Sequence, residues 1–164
     1  LTDQDVDNFN PLCHVMPPLR GQRDRDGLRA ALSDGLIDAI CSDHQPHDAD
    51  AKLAPFASTE PGISAVETLL PLTLRLVADG VVTLSQAIAL LTQGPATVLN
   101  RPHLGTLRVG EKADITIFDP TKEWVVSHET LISRGKNTPF IHWEMRGAVT
   151  HTLLAGSLTY SNTL

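Results

Sequence analysis

Apolar and polar positions follow two rhythms along this chain, and the change falls near residue 103. Before it, helical spacing and short apolar runs dominate. Residues 21–33 place Leu28, Ala31 and Leu32 on one face and Arg23, Asp24, Arg25, Asp26 and Arg29 on the other, which predicts an amphipathic helix. Gly35 ends it. Residues 2–8 read as a shorter helix capped at Thr2. Cys13-His14-Val15, stopped by Pro17-Pro18, and the run Leu36–Cys41 have the length of strands. Strand, helix and strand within about 30 residues predict a βαβ unit with a parallel sheet. Residues 43–62 read as a long loop with Pro46, Pro55 and the turn pair Pro61-Gly62; such loops are commonly functional.

Val66, Leu69, Leu70, Leu74 and Val77 give helical spacing to Ser64–Val77, with Pro71 as a kink or a boundary. Thr83 caps a helix over Leu84–Thr92, and a short helix follows over Gly94–Leu99. From Leu104 the rhythm becomes alternation with glycine punctuation. Asp114–Asp119, Trp124–Val126, Ala148–Leu154 and Ser157–Tyr160 read as strands, the last two joined by a hairpin at Ala155-Gly156. The division is therefore 1–103, α/β in character, and 104–164, β-rich.

Composition narrows the class. Hydrophobic residues make up 41% and charged residues 20% of 164, enough for a packed core. The net charge of -6 argues against a general nucleic-acid binder. No apolar run approaches the ~20 residues of a membrane span. Cys13 and Cys41 read as small buried hydrophobes in a reducing cytoplasm. Leu1, followed by the cap-like Thr2-Asp3-Gln4-Asp5, suggests the carboxyl-terminal piece of a longer protein; removal of a few leading residues is the alternative.

The chemistry concentrates where the Leu36–Cys41 run ends, in Ser42-Asp43-His44-Gln45-Pro46-His47. A carboxylate at the end of a barrel strand sits where such folds place their reactions. Asp43 can bind a metal and carry a proton between water and a leaving nitrogen; equally, it can cap the loop that follows. His47 is a candidate contact for an anionic substrate, whereas His44 reads as an exposed loop histidine. Arg20, after Pro17-Pro18-Leu19, either grips a carboxylate or pairs with Asp24 one turn on. Glu67, His103, His128, His142 and His151 have no partner at ligand spacing and read as surface or packing residues. Gly135-Lys136-Asn137-Thr138 lacks the first glycine of a phosphate loop.

Ser42-Asp43-His44-Gln45-Pro46-His47, with Lys52, Pro55-Phe56, Pro61-Gly62 and Glu67-Thr68, resembles the eighth-strand region of bacterial dihydroorotases, which are metal-dependent amidohydrolases. Pro17-Pro18-Leu19-Arg20 with Asp34-Gly35-x-Ile37-Asp38 resembles their seventh strand and the helix after it. Thr92-x-x-Pro95-Ala96 and the run from Gly105 through Ala113-Asp114 to Asp119 resemble the passage from the barrel into a small β-sandwich. Gly135-Lys136-Asn137-Thr138-Pro139-Phe140 resembles the dihydroorotase tail. The likeness covers nearly the whole chain. It implies the last βα units of a (β/α)8 barrel plus part of the sandwich. The implied reaction is the reversible cyclisation of N-carbamoyl-L-aspartate to dihydroorotate in pyrimidine biosynthesis, with one or two zinc ions. Carried over by position, Asp43 would be the metal-proximal carboxylate and proton shuttle. His47 would touch the substrate carboxylate, and backbone near Pro61 and Gly62 would line the ring.

The sequence departs from that pattern in two ways. The family's remaining metal ligands belong to earlier barrel strands; a whole barrel takes ~250 residues and a catalytic zinc about three protein ligands. Met16 stands where the family usually has a substrate-binding Asn, and a thioether lacks the donor and acceptor of an amide. His14 also replaces a different residue common in catalytic relatives. These departures fit a second class: a dihydroorotase-like subunit without activity that supports aspartate transcarbamoylase. Other cyclic amidohydrolases, the hydantoinases and allantoinases, stay open. A homo-oligomer is a further expectation.

Overall fold

A computed structural model describes residues 1–162; residues 163 and 164, the end of the β-rich stretch, lie outside the described residues. The chain forms two compact units, each assembled from separated segments. One gathers Leu1–Asp34, Ser42–Leu69 and Val125–Glu144; the other gathers Gly35–Cys41, Leu70–Trp124 and the residues from Met145 on.

In the first unit, Asp3–Phe9 is a 3₁₀ helix with a break at Asp7 and Asn8. Asp5 Oδ2 accepts the Thr2 backbone N–H at 2.6 Å, so the cap lies where the sequence put it. Helix α1 runs Gln22–Ser33, and Gly35 follows it with φ +70, a left-handed conformation that glycine adopts without strain. The strand expected at Cys13–Val15 is not there. Pro11–Cys13 is a 3₁₀ turn, and Asn10 Oδ1 accepts the Leu12 N–H at 3.1 Å. The Asn-Pro start holds Cys13 in that turn locally, and beyond it the His14 carbonyl accepts the Gly62 N–H at 2.8 Å without a strand forming. Cys13, Val126, Leu131 and Phe140 are buried here, beside buried Lys52, Thr59, Ser64, Thr68, Asn137 and Thr138. Such an interior depends on hydrogen bonds as well as apolar area. Among the described residues no buried side-chain N or O lacks a partner.

In the second unit, Leu36–Cys41 has no regular secondary structure and joins no sheet. Its Ile40 N–H donates to Leu90 O at 2.9 Å. A βαβ sheet is therefore absent among the described residues, and the parallel element is one isolated bridge, His44 with Ile63, in the first unit. A run of strand length becomes a strand only beside another extended backbone; this run meets the carbonyl at the end of a helix.

Helix α2 spans Leu69–Ala78, shorter than the expected Ser64 start. Pro71 falls in its first turn, where a missing N–H breaks no helical bond, so it fixes the boundary and makes no kink. Helix α3, Leu84–Leu91, begins with a reciprocal cap. Thr83 Oγ1 accepts the Gln86 N–H at 3.3 Å and Gln86 Oε1 accepts the Thr83 N–H at 2.8 Å. Thr83→Ala is expected to lower stability by about 1 kcal/mol, read as a lower urea midpoint at unchanged slope. Helix α4 is Gln93–Val98.

The two strand-like runs at 114–126 form one strand, β1, Ile115–Val125. It lies at the edge of a three-stranded sheet in the order β1-β2-β3, with β2 at Glu144–Leu154 and β3 at Ser157–Ser161. The edge position accommodates Pro120, which has no N–H to contribute. Strands β2 and β3 pair antiparallel, Leu154 opposite Ser157. Ala155 and Gly156, at φ 50 and 81, make the hairpin turn as expected. Asp114 Oδ1 accepts the Ala155 N–H at 2.7 Å. That bond, then Lys112, holds the Asp114 carboxyl below its ordinary value of 3.8. A depressed carboxyl favours the fold above its unfolded value and stops doing so as pH falls through its folded one. Asp114→Asn should therefore flatten the decline in melting temperature below about pH 3.8, measured by thermal scans in acid.

Candidate active site

Asp43, His47, Pro61 and Gly62 all lie in the first unit, and one buried side chain organises the loops that carry them. Asn137 is 5% exposed. Its Oδ1 accepts the His47 backbone N–H at 2.8 Å. Its Nδ2 donates to Gln45 O at 2.9 Å and to Gly62 O at 3.1 Å. Its own carbonyl accepts the Ser64 N–H at 2.9 Å. One carboxamide and one peptide oxygen thus join the 43–47 turn to the 61–64 segment.

Two glycines admit this closeness. A Cβ on Gly135 would lie 2.6 Å from His47 N and from Pro46 Cβ. A Cβ on Gly62 would lie 2.5 Å from Gln45 Cβ, and the φ of +130 there suits glycine alone.

The His47 ring bonds Pro61 O through Nε2 at 3.0 Å. A carbonyl only accepts, so Nε2 carries the proton and neutral His47 keeps its Nδ1 lone pair. His47, Pro61 and Gly62 therefore converge. Asp43 sits at φ 43, in the left-handed region. Its side chain is exposed, and Oδ1 accepts from Gln45 Nε2 at 3.1 Å. A loop-capping aspartate would take backbone N–H groups; this one takes a side-chain amide.

His44 differs from its expected role as an exposed loop residue. Its Nδ1 accepts the N–H groups of Ala65 at 3.0 Å and Val66 at 3.2 Å, and Nε2 faces Ser133 Oγ at 3.4 Å. Neutral His44 thus carries its proton on Nε2 and cannot serve Ser133 as a base. Glu67 takes the packing alternative of its expected surface or packing role. It accepts the N–H groups of Ile132 at 2.7 Å and Ser133 at 2.9 Å, tying the 131–138 segment to the 64–67 turn.

Arg20 pairs with Asp24 at 3.2 Å, the helical alternative. Cys13 is buried, and burial, then Asp5, pushes its thiol up from 9.0. Cys41 is exposed where burial was expected, because its segment has no sheet to lie in. Both cysteines are free. Beside Cys13, Lys52 is buried, and burial lowers its pKa from the ordinary 10.5. Its Nζ donates to Glu60 O at 2.6 Å. Thr59 Oγ1 donates to Phe56 O at 2.8 Å, which leaves His14 Nδ1 as the donor in its 2.8 Å bond to Thr59 Oγ1. Met16 is exposed.

Among the described residues no three His, Cys, Asp or Glu side chains lie close enough to hold a metal ion. Near Asp43, His44 Nδ1 and His47 Nε2 are committed to backbone groups. A catalytic zinc takes about three protein ligands. These residues alone do not fit the zinc that the resemblance implies. No helix among the described residues is long and apolar enough to cross a membrane.

The pattern of the amidohydrolase family matches residues 12–159, and the chain belongs to that family. Its similarity to individual proteins points the same way. It is 52% identical to a "Dihydroorotase-like protein" of Pseudomonas putida and 46% identical to a "Dihydroorotase" of Syntrophus aciditrophicus, over 98% of this chain and 37% of each relative. It superposes with a TM-score of 0.85 on the "L-Hydantoinase (Dihydropyrimidinase)" of Arthrobacter aurescens, at 26% identity, over 98% of this chain and 37% of that one. The chain thus spans a little over a third of the proteins it matches, and what it holds is a partial α/β structure.

Proposed function

We propose that the protein carrying this chain is a cytoplasmic hydrolase of cyclic amides that interconverts N-carbamoyl-L-aspartate and dihydroorotate. The observation that carries this reading is the meeting of His47, Pro61 and Gly62 beside the Asp43 turn. It occurs in a chain 46% identical, along nearly all its length, to a protein named dihydroorotase. In this reading residues 1–103 are the last βα units of a (β/α)8 barrel and 104–164 part of a β-sandwich. The superposition on a hydantoinase supports it.

In ring opening, water adds to the amide carbonyl carbon and the C–N bond breaks. Asp43 takes the proton of the attacking water, on Oδ2 since Oδ1 is engaged by Gln45, and passes it to the departing nitrogen. Ring closure runs the same transfers backwards and releases water. His47, its Nε2–H held by Pro61 O, would meet the substrate carboxylate through Nδ1, which has to carry a proton to do so, and the Pro61-Gly62 backbone lines the ring site. Any zinc would draw its remaining ligands from outside these residues. The test is turnover by the full-length protein and its Asp43 variants, argued in full below.

A second reading has its own support. Met16 replaces the expected Asn, and the relative at 52% identity is named only dihydroorotase-like. In that reading the protein is an inactive subunit that supports aspartate transcarbamoylase. It requires no dihydroorotate turnover and co-elution with that enzyme from a sizing column; turnover without co-elution removes it.

A further inference from the structure

We infer that Asn137 is the positioning residue of this site: one buried carboxamide sets both the His47 ring and the Asp43 carboxylate. The inference rests on the reading of Asp43 and His47 just given. Asn137 fixes His47 through the backbone N–H held at 2.8 Å, one residue-length from a ring whose Nε2–H is anchored on Pro61 O. It fixes the other end of the turn through Gln45 O at 2.9 Å, and Gln45 in turn donates its side-chain amide to Asp43 Oδ1 at 3.1 Å. The Gly62 carbonyl, held at 3.1 Å by the same Nδ2, places the segment to which the His47 ring is bonded. Both proposed site residues therefore take their position from a side chain some 90 residues away that touches neither functional group.

The chemistry of the carboxamide is specific. The turn presents a donor, the His47 N–H, and two acceptors, the Gln45 and Gly62 carbonyls. An amide oxygen and an amide NH2 answer all three together. An aspartate of the same shape answers only the first and turns a negative oxygen toward two carbonyl oxygens, so Asn137→Asp isolates the donor function.

The experiment uses the full-length protein with ¹⁵N-labelled histidine. In the wild type the His47 ring should give a single tautomer protonated on Nε2, and the His47 and Ser64 amides should exchange with solvent slowly and together. In Asn137→Asp the His47 ring should lose its fixed tautomer while the His44 signals, whose partners are Ala65, Val66 and Ser133, stay put. Dihydroorotate turnover, kcat/KM, should fall about 100-fold, the scale of an ångström-size misplacement. An unchanged His47 ring, or unchanged kcat/KM beside an inactive Asp43→Asn, overturns the inference. If Asn137→Asp does not fold, the wild-type exchange decides: a His47 amide as fast as that of its neighbour Asp48 overturns it. A shifted His47 ring in a protein that turns over no dihydroorotate upholds the positioning and removes the proposed activity instead.

Discussion

Asp43→Ala in the full-length protein is expected to lower dihydroorotate turnover by about 10²–10⁴-fold, the range a positioned acid–base group supplies. Asp43→Asn should lose as much. The amide keeps the shape and can still meet Gln45, but it neither takes a proton from water nor hands one to nitrogen. The folded state should be nearly indifferent to Asp43→Asn, whereas alanine at this left-handed φ gives up roughly 1 kcal/mol. Asp43 is exposed, it accepts from the Gln45 side-chain amide, and its φ of 43 is one that Asn adopts at least as readily. Asp43→Asn should thus show a large kinetic loss at an unchanged melting temperature. Steady-state rates measured in both directions, together with thermal scans of the same samples, check it. Retained turnover in Asp43→Ala would exclude the mechanism outright. A wild-type protein with no turnover would leave the assembly-subunit reading in its place.

What the sequence revealed of this molecule was local, and the reasons are physical. The Thr83 cap, Gly35 after α1, and Ala155-Gly156 between β2 and β3 are signals whose cause lies within a few residues, and each is legible in the sequence; the reciprocal bond from Gln86 is not part of that reading. Leu36–Cys41 has strand length and strand composition. Whether such a run pairs depends on which backbone lies beside it, and Leu90 O at a helix end is not another strand. Cys13–Val15 differs for a related reason: Asn10 and Pro11 hold Cys13 in a turn, so no ladder forms along the run.

In the site, the roles of the two histidines of Asp-His-x-Pro-His could not be told apart by spacing. What fixes His44 is a pair of N–H groups more than 20 residues on, and what fixes His47 is Pro61 and Asn137. The roles of Glu67 and Asn137 are not legible in the sequence because their partners lie 65 to 92 residues away, beyond any pattern of neighbours. The resemblance placed the right segments together, since it carries long-range information that periodicity lacks. It did not say which side chains hold them.

Gly94→Ala is expected to be among the most damaging single changes in the chain, and Gly27→Ala among the few that help. Both glycines are helical, Gly94 in α4 and Gly27 in α1, and neither has a positive φ, so alanine should suit each backbone better than glycine does. Surroundings decide the sign. At Gly94 an added Cβ would collide with the Asp38 carbonyl oxygen, with the Asp38 carbonyl carbon at 3.0 Å and Ala89 O at 3.1 Å behind it. Those atoms are backbone, so no rotamer change relieves the clash. Helix α4 or the 36–41 segment has to shift, at a cost of about 3 kcal/mol or more. At Gly27 nothing lies within 4 Å of the added methyl. The substitution there removes backbone freedom from the unfolded chain and should raise stability by about 0.5–1 kcal/mol. Urea titrations of the full-length protein read both, as midpoints moving in opposite directions at constant slope. A tolerated Gly94→Ala would mean that the 36–41 segment does not lie against the start of α4, and the account of why that run stays out of a sheet would fall with it.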